Sequence, residues 1–240
     1  MPVDRFFLDQ EFKKGYKVVL SGDEANHIAK ATRKLKGETL SIVNGRGALA
    51  TCEIDSIEKK QVTVSILSVE SSSPSGNRSI LVQALPRLNR LDSIIEKVTE
   101  LGVSEIVLFP GERSEKKELS EHQKKRVHTV IINALKQSGR LYLPKLSFIG
   151  KLSEYKRGGL KLYGDLSPSA EMISSVINSR CNAVSFFVGP ESGFSENEIG
   201  ILKSMAAKGV TLSENILRTD TAAIAAISII VYLQGDFGKR

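Results

Sequence analysis

Gly189-Pro190-Glu191-Ser192-Gly193-Phe194 stands between an apolar run, Ala183 to Val188, and a helix signal, Ser195-x-x-Glu198. The run is short and rich in Val and Phe, as a buried strand requires. Ser followed three residues later by Glu is a capping box, in which each side chain satisfies the other's backbone N–H. Downstream, Ser213-Glu214-Asn215-Ile216-Leu217-Arg218-Thr219-Asp220-Thr221 separates a short strand, Val210 to Leu212, from a long Ala/Ile-rich helix ending near Gln234. Both loops therefore fall at carboxyl ends of strands, where open α/β sheets bind ligands. Glycines 189 and 193 let backbone approach a ligand with no Cβ in the way, and Ile216-Leu217 is an apolar pair that suits a flat ring better than solvent. Gly-Pro-Glu-Ser-Gly on its own reads equally well as a plain strand-to-helix turn.

Working outward, residues 78–240 alternate between strand and helix patterns. Ile80 to Leu85 reads as a strand, Leu91 to Leu101 as a helix closed by Gly102, and Glu105 to Phe109 as a strand. Ser120 to Gln137 is a long helix closed by Gly139, Leu160 to Tyr163 a strand, and Ser169 to Ile177 a helix. Such alternation predicts a mostly parallel sheet with helices on both faces. Residues 71–77, Ser-Ser-Ser-Pro-Ser-Gly-Asn, have linker composition. Before them, residues 1–70 read as a compact β-barrel domain: strands at Lys17 to Leu20, Thr39 to Val43, Ala48 to Ile57 and Val62 to Val69, with a helix from Asp23 to Leu35 stopped by Gly37. Gly45-x-Gly47-x-x-Ala50 has dinucleotide-fingerprint spacing but leads into alternating strand sequence instead of a helix, so a hairpin turn at Asn44 to Gly47 is the better reading.

The chain of 240 residues has ample apolar content for a real core. No run of about 18 apolar residues and no leader pattern appears, and Cys52 and Cys181 read as free thiols, so the expectation is a cytoplasmic protein without a membrane span. His27, His122 and His128 show no metal spacing, and no phosphate loop or nucleophile elbow is present. The net charge of +7 is uneven: residues 111–161 alone carry +8, thirteen Lys or Arg against five Asp or Glu. A solvated helical face is one reading. A polyanion surface built on Lys116, Lys117, Lys124, Lys125, Arg126 and Arg140 is the other, since neutralising phosphates releases counterions.

Taken together, the two loops resemble the knotted SPOUT methyltransferases, and within them the RsmE group that methylates N3 of a uridine in 16S ribosomal RNA. The chain departs from that pattern at Ser192 and Ser213, where the family has Gly, and at Asp220, where it has Glu. Ile94 to Val103, Glu112-Arg113-Ser114, Gln137 to Arg140 and a Gly-Asp-Phe-Gly tail at 235–238 extend the likeness, as does His27 to Gly37, which is similar to a stretch of the family's PUA-like RNA-binding domain containing Arg33 and, loosely aligned, Lys34. The resemblance implies a PUA-like barrel followed by a trefoil-knotted parallel-sheet domain, S-adenosyl-L-methionine as cofactor, ribosomal RNA of the small subunit as partner, and a homodimer pairing through the apolar last helix. It also implies a cofactor site formed by Pro110, Gly189, Pro190, Glu191, Gly193, Leu212, Ile216, Leu217 and Arg218.

Methyl transfer to uridine N3 requires aligned reactants, excluded water and stabilisation of the uridine anion. Arg218 is the first candidate for the stabiliser and Arg113 the second. Glu191 or Asp220 would accept the proton, and Arg218 is alternatively a structural ion-pair partner of Asp220. A related enzyme acting on transfer RNA or a ribose 2′-oxygen, and a non-catalytic RNA-binding assembly factor, share the same sequence signals.

Overall fold

The computed structural model describes residues 5–178 and 181–236; Phe237 and Gly238 of the tail lie outside them. The chain forms two compact units, Met1–Pro74 with Ile132–Leu143, and Ser75–Ile131 with Pro144–Arg240.

In the first unit, β1 (Arg5–Phe7), β2 (Lys17–Ser21), β3 (Thr39–Val43), β4 (Ala48–Ile57) and β5 (Gln61–Ser71) make one sheet in the order β1-β3-β4-β5-β2. All pairs are antiparallel except β1 with β3. Alternation along the strands turns Val18, Leu20, Ile42, Ile54, Val62 and Val64 into a core around Phe6. The turn between β3 and β4 is the expected hairpin. Asn44 Oδ1 accepts from the amides of Arg46 and Ala48, and Gly45 and Gly47 take positive φ. The helix expected to Leu35 is shorter: α1 (Gly22–Asn26) passes into a π-helical turn, His27–Ala31. Its apolar face runs out after Ala25 and Ile28, Leu35 is exposed, and Arg33 adopts a left-handed φ of 51°.

The second unit holds β6 (Arg78–Ala84), α2 (Leu88–Leu101), β7 (Glu105–Phe109), α3 (Glu121–Ser138), β8 (Lys145–Phe148), β9 (Leu160–Gly164), β10 (Glu171–Met172), α4 (Ile173–Val176), β11 (Ala183–Val188), α5 (Glu196–Ser204), β12 (Lys208–Thr211) and α6 (Thr219–Leu233). Seven parallel strands lie in the order β10-β12-β9-β11-β6-β7-β8. All of β7 and most of β6 and β11 are buried, as a sheet covered on both faces requires. Leu202 of α5 packs with Ile80, Val82 and Phe187, while α2 and α6 pack on each other and α6 lies against β6 and β11.

The second unit also differs from its sequence expectations. Serine-rich 169–177 forms a two-residue strand and one helical turn instead of a helix, because Ile173 is the only residue of that turn that is buried. β8 carries a half-buried Leu146 and an exposed Phe148, so its periodicity is weak. The units part at Pro74, within the expected linker, but the last turns of α3 group with the first unit. No described helix is long and apolar enough to cross a membrane.

Candidate active site

The loop after β11 is closed by its own backbone. Gly193 N–H donates to Pro190 O at 2.9 Å and takes φ +74°, while a Cβ on Gly189 would lie 3.1 Å from Phe194 N. The expected capping box is formed: Ser195 Oγ accepts from Glu198 N, and Glu198 Oε2 accepts from Ser195 N at 2.9 Å. Glu198 is buried, and its second oxygen accepts the Glu112 amide at 3.0 Å. Glu112 in turn accepts from Ser195 Oγ and Asn197 Nδ2, both at 2.5 Å, and these donors hold its carboxyl below the usual range. The loop after β7 is thereby locked to the start of α5. Arg113 Nη1 donates to Ser192 O at 3.3 Å, and Ser192 Oγ donates to Arg113 O at 3.1 Å. Serine in place of the family's glycine thus adds a tie between these two loops.

The second loop is joined to the first through a buried hydroxyl. Thr219 Oγ1 donates to Gly189 O at 2.8 Å and accepts from Gln83 Nε2 at 3.2 Å. Ser213, the second serine departure, accepts from Asn215 N and Thr211 Oγ1 in a local turn. Beside it Leu212 and Leu217 are half-buried, and Ile216 is 80 % exposed. Arg218 precedes α6, exposed and, among the described residues, without an ion-pair partner. The alternative that it pairs with Asp220 is corrected by the geometry, because the cation facing Asp220 is Arg90. The guanidinium of Arg90 lies 3.8 Å from Asp220 Oδ1 and 3.6 Å from Glu191 Oε1, which also accepts the Arg87 amide at 3.3 Å. One half-buried arginine therefore ties α2, the Gly189 loop and α6.

The arrangement joins the loop of Gly189, Pro190, Glu191 and Gly193, after β11, to Thr219 and Asp220 at the start of α6, next in sequence to Arg218. Arg113 reaches Ser192, and the loop of Pro110 meets Pro190 through Gly111, where a Cβ would come within 3.4 Å of the Pro190 ring. Sequence reasoning missed Arg90, Gln83 and Thr219. Gln83 carried a signal, a polar residue inside a strand buried on both faces. Beside α5 an open depression of about 490 Å³ is lined by Arg113, Phe194, Ser195, Glu196, Ile199, Gly200 and Lys203.

The basic residues of 111–161 are differently employed. Lys117 donates to Gly111 O and Glu112 O, Lys124 pairs with Glu121, and Arg126 with Asp92. Arg140 is half-buried, and desolvation lowers its pKa to about 10. Lys125, by contrast, is exposed and Lys116 half-buried.

Residues 73–231 match a family model described as an RNA methyltransferase domain, and residues 20–67 one described as an RNA methyltransferase PUA domain. Ribosomal RNA small subunit methyltransferase E of Mycobacterium bovis is 26 % identical over 235 residues, covering 94 % of this chain and 90 % of that protein. A putative methyltransferase of Legionella pneumophila, solved with bound SAM, is 28 % identical with a TM-score of 0.88, covering 97 % of this chain and 98 % of that one. The ribosomal RNA small subunit methyltransferase E of Neisseria gonorrhoeae, bound to S-adenosyl methionine, is also 28 % identical, with a TM-score of 0.86, covering 98 % of this chain and 99 % of that one. With both domains matched in order and the paired loops at the ends of a parallel sheet, this chain belongs to the RNA methyltransferase family, as an enzyme of the small-subunit ribosomal RNA methyltransferase E type.

Proposed function

We propose that this chain transfers a methyl group from S-adenosyl-L-methionine to N3 of a uridine in 16S ribosomal RNA, acting in the cytoplasm as a homodimer on RNA of the small ribosomal subunit. The observation that carries the reading is the joining of the two loops that follow β11 and β12, through Thr219 to Gly189 and through Arg90 to Glu191 and Asp220. The residues present fit the cofactor. A Cβ on Gly189 would crowd the Phe194 amide, Gly193 takes a left-handed φ, and Ile216 exposes an apolar side chain that a purine face would cover. Gly189, Pro190, Glu191, Gly193, Leu212, Ile216, Leu217 and Pro110 would hold it. When bound, it supplies an electrophilic methyl carried on sulfonium.

In this reading Arg218 stabilises negative charge on the uridine carbonyls, with Arg113 as the second cation. Glu191 accepts the Arg87 amide and shares Arg90 with Asp220, whose Oδ1 makes no hydrogen bond beyond that ion pair, so Asp220 takes the N3 proton, directly or through water. The segment from β12 into α6 threads as in the resembled knotted enzymes, which suits a helix that lies under β11 and β6 although β12 is separated from them by β9. Nucleoside mass spectrometry of small-subunit ribosomal RNA, from cells with and without the gene, tests the reaction. Loss of N3-methyluridine is the expected result. An unchanged N3-methyluridine level, or no adenosylmethionine binding by calorimetry, would sink the proposal.

A further inference from the structure

Gln83 is out of place in β6. Its neighbours Leu81, Val82 and Ala84 are apolar and fully buried, and Gln83 itself has no exposed surface. Its Nε2 donates to Ala84 O at 2.9 Å and to Thr219 Oγ1 at 3.2 Å, while its Oε1 is buried with no hydrogen-bond partner among the described residues. Because Ala84 O can only accept, the nitrogen must face it, and the side-chain amide is fixed in this orientation. A buried carbonyl left unpaired costs stability, so an apolar side chain of similar length would suit this core better. Stability alone gives no reason for glutamine here, and residues that break such a rule gather at functional sites.

The reason lies in what Gln83 does to Thr219. A threonine hydroxyl has one proton and two lone pairs. With Gln83 donating to it, Thr219 Oγ1 directs its proton to Gly189 O, 2.8 Å away. Gly189 directly follows Val188, the residue of β11 that pairs with Gln83 of β6. The Gly189 carbonyl belongs to a peptide whose nitrogen is that of Pro190 and carries no proton, so it is the single hydrogen-bonding group of that peptide. Glycine has more backbone freedom to lose than any other residue, and holding its carbonyl holds the direction in which the turn leaves the strand. Resting on the reading of the Gly189 loop as part of the adenosylmethionine site, we infer that Thr219 is a positioning residue for that site and that Gln83 acts through it. Gln83 fixes the hydroxyl, the hydroxyl fixes the Gly189 carbonyl, and the loop after β11 is held in register with the start of α6 before the cofactor arrives. The pair takes no part in the transfer step. It reduces the ordering that cofactor binding would otherwise require.

The test is adenosylmethionine affinity of the full chain by calorimetry, with the thermal midpoint measured alongside. Thr219→Val keeps the shape of the side chain and removes the hydroxyl, and freeing one backbone residue should weaken binding about 5- to 30-fold. Thr219→Ser keeps the hydroxyl and should bind as the wild type does. Gln83→Met removes the donor and the unpaired carbonyl together. The Thr219 hydroxyl then regains its other staggered positions, so affinity should fall about two- to threefold, while the thermal midpoint holds or rises. A glutamine that served only the fold would instead lower the midpoint when replaced. Because Gln83 acts through Thr219, the double variant Gln83→Met with Thr219→Val should bind no more weakly than Thr219→Val alone. Gln83→Met tests the pair even where Thr219→Val does not fold. Wild-type affinity in Thr219→Val or in Gln83→Met, an equal loss in Thr219→Ser, or additive losses in the double variant would each overturn the inference and leave the methyl-transfer reading standing. Absence of adenosylmethionine binding by the wild-type chain overturns both.

Discussion

Arg218 and Arg90 separate two roles that sequence alone runs together. Arg218 is exposed and, among the described residues, makes no ion pair, so its removal strips no partner of charge. Arg218→Ala should therefore slow single-turnover methyl transfer by about a hundredfold, the loss typical of one donor to developing negative charge, with adenosylmethionine affinity and melting temperature nearly unchanged. A near-normal single-turnover rate would remove it from the mechanism. Arg90→Ala should behave oppositely. It leaves Asp220 and Glu191 without their shared cation, at a cost of about 1–3 kcal/mol, so melting temperature and cofactor affinity should fall together with activity. Lysine at position 90 should restore only part, since a point charge cannot address two carboxylates as a guanidinium does.

Among the elements, α5 shows how a local sequence signal acquires a tertiary use. Its capping box would form in any chain with Ser195 and Glu198, but Glu198 also binds the Glu112 amide, and Glu112 binds back to Ser195 and Asn197. Hydrogen bonds from Ser195 and then Asn197 depress the Glu112 carboxyl below its usual 4.5. A depressed carboxyl stabilises the fold fully above its ordinary value and loses that contribution as pH falls through the lower folded one. Melting temperature measured from about pH 6 to about pH 3 should thus drop more steeply in the acid part of that range in the wild type than in Glu112→Gln, and parallel curves would refute the coupling. α6 has a comparable division. Ala223, Ala226, Ile227 and Ile230 are buried against β6, β11 and α2, while Ile224, Ile229 and Leu233 are only half-covered and Tyr232 is 69 % exposed.

For the whole molecule, that half-covered apolar stripe is the ground for expecting a homodimer. Light scattering at micromolar concentration should give twice the chain mass, and Ile229→Glu, on the uncovered side of α6, should give the monomer; a monomeric wild type would rule the assembly out. Much else was legible in the chain itself. The capping box, the Asn44 hairpin, the 105–109 and 183–188 strands and the alternation behind the parallel sheet follow from local bonding and apolar period, which act within a few residues and so are written in short stretches. The glycine loops were legible for the same reason, since a left-handed φ or a missing Cβ is a property of one position. The partners made across the fold were not legible. Arg90 meets Glu191 and Asp220 from about 100 and 130 residues away in sequence, Thr219 finds Gly189 and Gln83 only once α6 lies under the sheet, and the last turns of α3 join the first unit although they follow the second unit's strands. Burial and charge pairing depend on which surfaces meet, and that is set by packing over long separations, beyond the reach of any local pattern.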